Sequence, residues 1–216
     1  MFQNLFFLLS IILFCGEAFA DAGQLETRLF EGNHRFIQKA TAADRLKWAE
    51  GQHPIATVLA CSDSRVAPEI IFDQKLGDVF VVRVAGNVID PVTLGSIEYG
   101  VVHLKTPLLI ILGHQSCGAV KATLEALSSE HRGKHSENIK DLVKRIVPAA
   151  KVVLAKKSGV SAETIDETVQ ENIRQAYKDV LKSPDIQNAL DGKSLKIVLA
   201  EYYLDSGKIT QITSSR

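Results

Sequence analysis

Ile55-Ala-Thr-Val-Leu-Ala-Cys-Ser-Asp-Ser-Arg65 is the stretch that decides the fold. Ile55 to Ala60 is an apolar run without polar alternation, and a cluster of chemically active residues follows it at once. Three more such runs occur at Val79 to Val84, Leu108 to Leu112 and Leu195 to Ala200. Continuous runs suit strands buried on both faces, as in a parallel sheet. Asp205-Ser-Gly-Lys208 reads as a turn, which returns Ile209 to Ile212 as a short antiparallel edge strand.

Helical patterns lie between the strands. Ala67 to Phe72 is short, Val92 to Leu104 starts behind Asp90-Pro91, and Cys117 to Leu127 follows the third run directly. Asn138 to Lys157 and Thr164 to Leu181 carry apolar residues at helical spacing and read as amphipathic helices. Pro148 is expected to kink the first of these, and Pro184 to stop the second. Ser128 to Ser136 reads as a polar loop. The class is α/β, a mostly parallel sheet flanked by helices.

Residues 1–20 differ from the rest. Leu5 to Phe14 is nearly all apolar, and Ala18-Phe-Ala20 offers small residues where a signal peptidase cuts. This reads as a secretory signal peptide, although no Lys or Arg precedes the apolar stretch. An uncleaved anchor is the alternative, but the stretch is short for a membrane span. The mature chain, residues 21–216, is then a single domain without a stable membrane span, exported to the periplasm. Residues 21–50 form an N-terminal helical arm, with a helix-like stripe over Gly23 to Ala40.

The chain of 216 residues is long enough for one α/β core. Lys plus Arg equals Asp plus Glu at 25 each, and no basic face is evident, so nucleic acid is not an expected partner.

Cys61-Ser-Asp-Ser-Arg65 follows the first run and His114-Gln-Ser-Cys117 the third. Ligands of open parallel sheets bind beyond the carboxyl ends of the strands, so the two motifs can meet there. Cys61, His114 and Cys117 supply two thiolates and one imidazole, which leave one position open on a tetrahedral zinc. Asp63 can orient a water there, and Arg65 can hold Asp63 off the metal in a bidentate fork. If the fork opened, Asp63 could become a fourth ligand and close the site. A Cys61–Cys117 disulfide, an ordinary ion pair on a surface loop and a structural metal site closed by Asp63 are the competing readings.

Ala60-Cys-Ser-Asp-Ser-Arg-Val66, Phe80-Val-Val-Arg-Val-Ala-Gly-Asn87, Ile97-Glu-Tyr-Gly100 and Gly113-His-Gln-Ser-Cys-Gly118 together resemble the β-class carbonic anhydrases. The resemblance runs from about Leu29 to Asp205. It implies one zinc per chain on Cys61, His114 and Cys117, with Asp63 and Arg65 as a catalytic dyad. It implies reversible hydration of carbon dioxide to bicarbonate and a proton, through a zinc-bound hydroxide. It also implies a homodimer or dimer of dimers whose N-terminal helix packs on the partner. By spacing, Gln52, Phe80 and Tyr99 match the substrate pocket of the plant-like subgroup, with Gln52 reaching across a dimer interface. Gly118 would let its backbone N–H approach the bound anion. Another subgroup has an inhibitory bicarbonate pocket built from a Trp and a Tyr, where this chain has Val58 and Leu204. An open site is therefore expected. Val84 also departs from the family, which more often has Asn there. His53, His131 and His135 are candidate proton relays. The same scaffold could instead hydrolyse carbon disulfide or carbonyl sulfide, or bind zinc without turnover.

Overall fold

The computed structural model describes residues 21–128 and 136–214. The expected signal peptide and the loop residues His131 and His135 lie outside the described residues. The chain divides into two compact units between Glu50 and Gly51.

The first unit holds α1 (Ala22–Lys39) and α2 (Ala42–Glu50). The arm is thus two helices, where the sequence pattern marked only the first. The second starts at Thr41, whose backbone N–H donates to Asp44 Oδ2 (3.0 Å) while its Oγ1 accepts from the Asp44 N–H (3.1 Å). This reciprocal cap satisfies donors that a helix start leaves free. Phe36 stacks on Trp48 with ring centroids 5.7 Å apart. Neither helix contains a buried residue.

The second unit is built on five strands: β1 (Ala56–Ala60), β2 (Val79–Arg83), β3 (Leu108–His114), β4 (Lys196–Tyr202) and β5 (Ile209–Gln211). Their order is β2-β1-β3-β4-β5, with β5 antiparallel and the other neighbours parallel. Every residue of β1 is buried, as its continuous apolar run requires. One face presents Leu59, Leu109, Ile111 and Leu199 to a large core shared with the long helices. The other presents Val58, Ala60, Leu112 and Ala200 to a smaller cluster with Val66, Ile71 and Phe72.

Between the strands lie α3 (Pro68–Ile71), α4 (Pro91–Glu98), α5 (Gly118–Leu127), α6 (Glu137–Leu154), α7 (Ala162–Val180) and α8 (Pro184–Asp191). Asp90 caps α4 and Ser161 caps α7, each in a reciprocal box with a Thr three residues on. Past Glu98 the helix widens into π-type turns as far as His103. Pro148 lies within α6, which continues through it. Pro184 ends nothing by itself. Ser183 accepts the Ile186 N–H and Pro184 takes the first helical position, so the pair opens α8.

Gly113 marks a close meeting of the sheet with α7. A Cβ there would stand 2.6 Å from Ile173 Cδ1 and 3.1 Å from Val169 Cγ1, both on α7. Both side chains are almost fully buried. Gly113→Ala should therefore lower unfolding free energy by about 1–3 kcal/mol, read from denaturant curves. A variant as stable as the parent would mean that α7 can shift.

Candidate metal centre

The paired register of β1 and β3 assembles the site. Ala60 lies opposite Leu112, so Cys61 leaves β1 beside the last two residues of β3, Gly113 and His114. Ser116 then takes a left-handed conformation (φ 56°), and Cys117 becomes the N-cap of α5. The ligand atoms of Cys61, His114 and Cys117 lie within 4.8 Å of one another, and all three residues are buried. Both cysteines are free, so the disulfide reading does not describe this structure.

The orientation of each donor has a visible cause. His114 Nδ1 is 2.9 Å from the Gln115 carbonyl oxygen, which turns Nε2 toward the two sulfurs. Nε2 is fully enclosed and has no hydrogen-bond partner. Such an orphan on a buried imidazole is costly unless a cation or proton donor meets it. Cys61 Sγ accepts the Gly86 N–H at 3.3 Å.

Charge is unevenly shared between the sulfurs. The Cys61 thiol is pulled down, by hydrogen bonding from Cys117 first and by His114 and the Gly86 and Asp63 backbone after it, against the opposing effect of burial. Cys117 is pushed up, because its proton is held in the bond to Cys61 and because it is buried. Burial draws His114 down, but the neighbouring Cys61 and Asp63 charges and the Gln115 carbonyl raise it overall. A divalent cation bound by both sulfurs would displace the thiol proton that lies between them. Two sulfurs and an imidazole nitrogen converging at this separation fit zinc.

Asp63 stands at the rim. Its Oδ2 is 3.8 Å from His114 Nε2. Arg65 grips it three times: Nε to Oδ1 at 2.9 Å, Nη2 to Oδ2 at 2.7 Å, and backbone N–H to Oδ1 at 3.0 Å. The fork holds the Asp63 carboxyl well below the usual carboxylate range. A third residue supports the loop. Arg83, at the end of β2, donates from Nε to the Cys61 carbonyl (3.0 Å) and from Nη2 to the Asp63 carbonyl (2.7 Å).

Gln52, Phe80 and Tyr99 are placed differently. Phe80 pairs with Thr57, at the far end of β1 from Cys61, and Gln52 lies in the segment before that strand. Phe80 and Tyr99 do meet each other, with ring centroids 5.9 Å apart, and Tyr99 also stacks on His103. Within one chain these three are therefore not gathered around the sulfurs. Gly118 follows Cys117 directly, and a Cβ there would meet no atom within 4 Å.

The reading from residues alone missed Arg83, Gly86 and Asn172. The Asn172 amide on α7 donates to the Gly86 carbonyl at 2.7 Å. Arg83 and Gly86 lie in the Phe80 to Asn87 stretch already quoted. Asn172 had no signal beyond its place in an amphipathic helix.

A buried cysteine–histidine–cysteine triangle at the carboxyl ends of adjacent parallel strands, with a restrained carboxylate at its rim, defines an α/β metal-site protein. Comparison with known proteins narrows this. A family model described as carbonic anhydrase matches residues 56–209. Carbonic anhydrase 2 of Mycobacterium tuberculosis is 42% identical over 187 residues, covering 83% of this chain and 87% of the relative. The Coccomyxa β-carbonic anhydrase solved with acetazolamide superposes with a TM-score of 0.75 at 28% identity, over 89% of this chain and 86% of that one. One of two tetrameric β-carbonic anhydrases from Sordaria macrospora gives 0.76 at 25% identity, over 88% and 97%. The chain belongs to the β-class carbonic anhydrases, a family of enzymes.

The fork has a consequence for acid stability. A carboxyl held low in the folded state stabilises it above the ordinary aspartate value of about 4, and the gain disappears as pH falls below that. The stability advantage of the parent over Arg65→Gln should be full above about pH 5 and shrink as pH drops below about 4. Denaturation across that range checks it, and a gap independent of pH would count against the ion pair.

Proposed function

We propose that this chain catalyses the reversible hydration of carbon dioxide to bicarbonate and a proton, with one zinc per chain held by Cys61, His114 and Cys117. The observation that carries the reading is the convergence of these three buried donors beside a carboxylate that is held out of the donor set. Zinc, when bound, supplies a Lewis acid that brings the pKa of water toward neutrality.

The chain's own residues do the rest. Arg65 fills two acceptor positions on Asp63 Oδ1 and one on Oδ2, and fixes the carboxylate plane. Asp63 keeps further acceptor capacity at Oδ2, on the side facing His114 Nε2. It can accept a hydrogen bond from the attacking water and point that water's free lone pair at the carbon of the substrate. Because the fork also keeps Asp63 from serving as a ligand, it supports an open site over a non-catalytic closed one. Val58 and Leu204 support the plant-like assignment, since both pack into the smaller apolar cluster.

The distance of Gln52, Phe80 and Tyr99 from the sulfurs supports a homodimer or dimer of dimers, in which a second copy brings these groups to the site. Exposed apolar residues favour this: Ile70 and Val92 are more than three-quarters exposed and Tyr99 nearly half. The N-terminal arm, with no buried residue of its own, is the other surface that such a partner would cover. We also assign residues 1–20 to a cleaved leader and the mature chain, residues 21–216 with the helical arm preceding the α/β unit, to the periplasm, on the apolar stretch and Ala18-Phe-Ala20. Native mass spectrometry of protein recovered from a periplasm tests both points. A subunit starting at Asp21 in an even-numbered oligomer is expected, and an active monomer would rule out the shared site.

Stopped-flow carbon dioxide hydration with zinc analysis on the same sample tests the main reading. Fast turnover at neutral pH with one zinc per chain is expected. Asp63→Asn should keep its zinc and lose catalysis by 10²-fold or more, on the order of removing one oriented polar group. Cys117→Ser should lose the zinc. Full activity in Asp63→Asn, or faster turnover of carbon disulfide than of carbon dioxide, would overturn the assignment.

A further inference from the structure

We propose that Asn172 is a positioning residue for the metal centre, acting on Cys61 through Gly86. The inference rests on the metal reading above.

Gly86 is gripped on both sides of its α-carbon. Its N–H donates to Cys61 Sγ at 3.3 Å, and its carbonyl accepts the Asn172 side-chain amide at 2.7 Å. The residue adopts φ +70°, a left-handed conformation that glycine enters without strain. A Cβ in its place would stand 2.8 Å from Ile146 Cδ1 and 3.1 Å from Ala119 Cβ. Glycine is therefore required, and glycine alone has too much freedom to hold an N–H on a sulfur. Asn172 removes that freedom. It is 3% exposed, projects from α7, and reaches a carbonyl 86 positions earlier in the chain. Gly86, Asn87 and the Asn172 side chain are buried, which limits competition from solvent for the bond.

The N–H on Cys61 withdraws electron density from the sulfur and fixes the direction of its remaining lone pairs. Outer groups of this kind set ligand orientation, and their removal typically weakens metal binding 10–100-fold. Loss of the Asn172 amide frees the Gly86 carbonyl, loosens the N–H from Cys61 and leaves a sulfur that is richer in electrons and poorly aimed.

Cobalt in place of zinc reports on this directly, because the thiolate-to-cobalt charge-transfer band moves to lower energy as the sulfur becomes richer in electrons. The test compares the mature chain with Asn172→Leu and Asn172→Ala, which remove the amide with opposite errors in volume. Val180→Ala serves as control, since it deletes buried volume from the same helix two turns further on. In the Asn172 variants the band should shift to lower energy and zinc affinity should fall roughly 10–100-fold. Val180→Ala should lose stability to denaturant and keep both. If either folded Asn172 variant keeps the parent band and binds zinc within twofold of the parent, the proposal is overturned. If the parent itself shows no thiolate-to-cobalt band, the metal reading fails, and this inference with it.

Discussion

The pairing of Ala60 with Leu112 puts two strand ends side by side, and with them Cys61 and His114. Side chains alternate between the faces of a sheet, so a slip of one residue would exchange the faces of β1 and carry Cys61 about 3.3 Å along β3. The register is protected by burial. Val58 and Ala60 belong to one cluster and Leu59 to the other, so a slip would exchange two packed faces at once. The chemistry beyond the strand ends inherits its precision from this apolar arrangement.

Upon that frame the site distributes its polar groups by role. The sulfurs and the imidazole are enclosed, where a weak dielectric strengthens their hold on a cation. The Arg65 side chain is about half exposed and the Asp63 side chain much less so. Positive charge thus remains in contact with water while the carboxylate it steers looks inward. Arg83 holds the same loop from β2 through carbonyl groups, so the loop geometry does not depend on the Asp63–Arg65 pair alone.

The strands were legible because burial on both faces leaves an unbroken apolar record. Their carboxyl ends were less so: β3 runs on through Gly113 and His114, and β4 through Glu201 and Tyr202. Backbone hydrogen bonding continues there regardless of side-chain polarity, so hydropathy understates the length. The second arm helix and α8 were hidden by Thr41 and Ser183-Pro184, residues that interrupt a pattern and start a new one. The three metal donors were readable from residue type and from their place behind apolar runs. Gly86 and Asn172 were not, because they meet through a backbone carbonyl, and no side-chain pattern records which carbonyl a distant amide will find.

All three donors lie between residues 61 and 117, whereas the helix carrying Asn172 and the strand β4 come later in the chain. A ribosome therefore delivers the complete donor set well before it delivers the parts that steady it. Closing the contact between β1 and β3 spans a shorter loop than closing β3 onto β4, and shorter loops cost less entropy. By that measure the contact that gathers the donors costs less to close than the one that brings β4 against them.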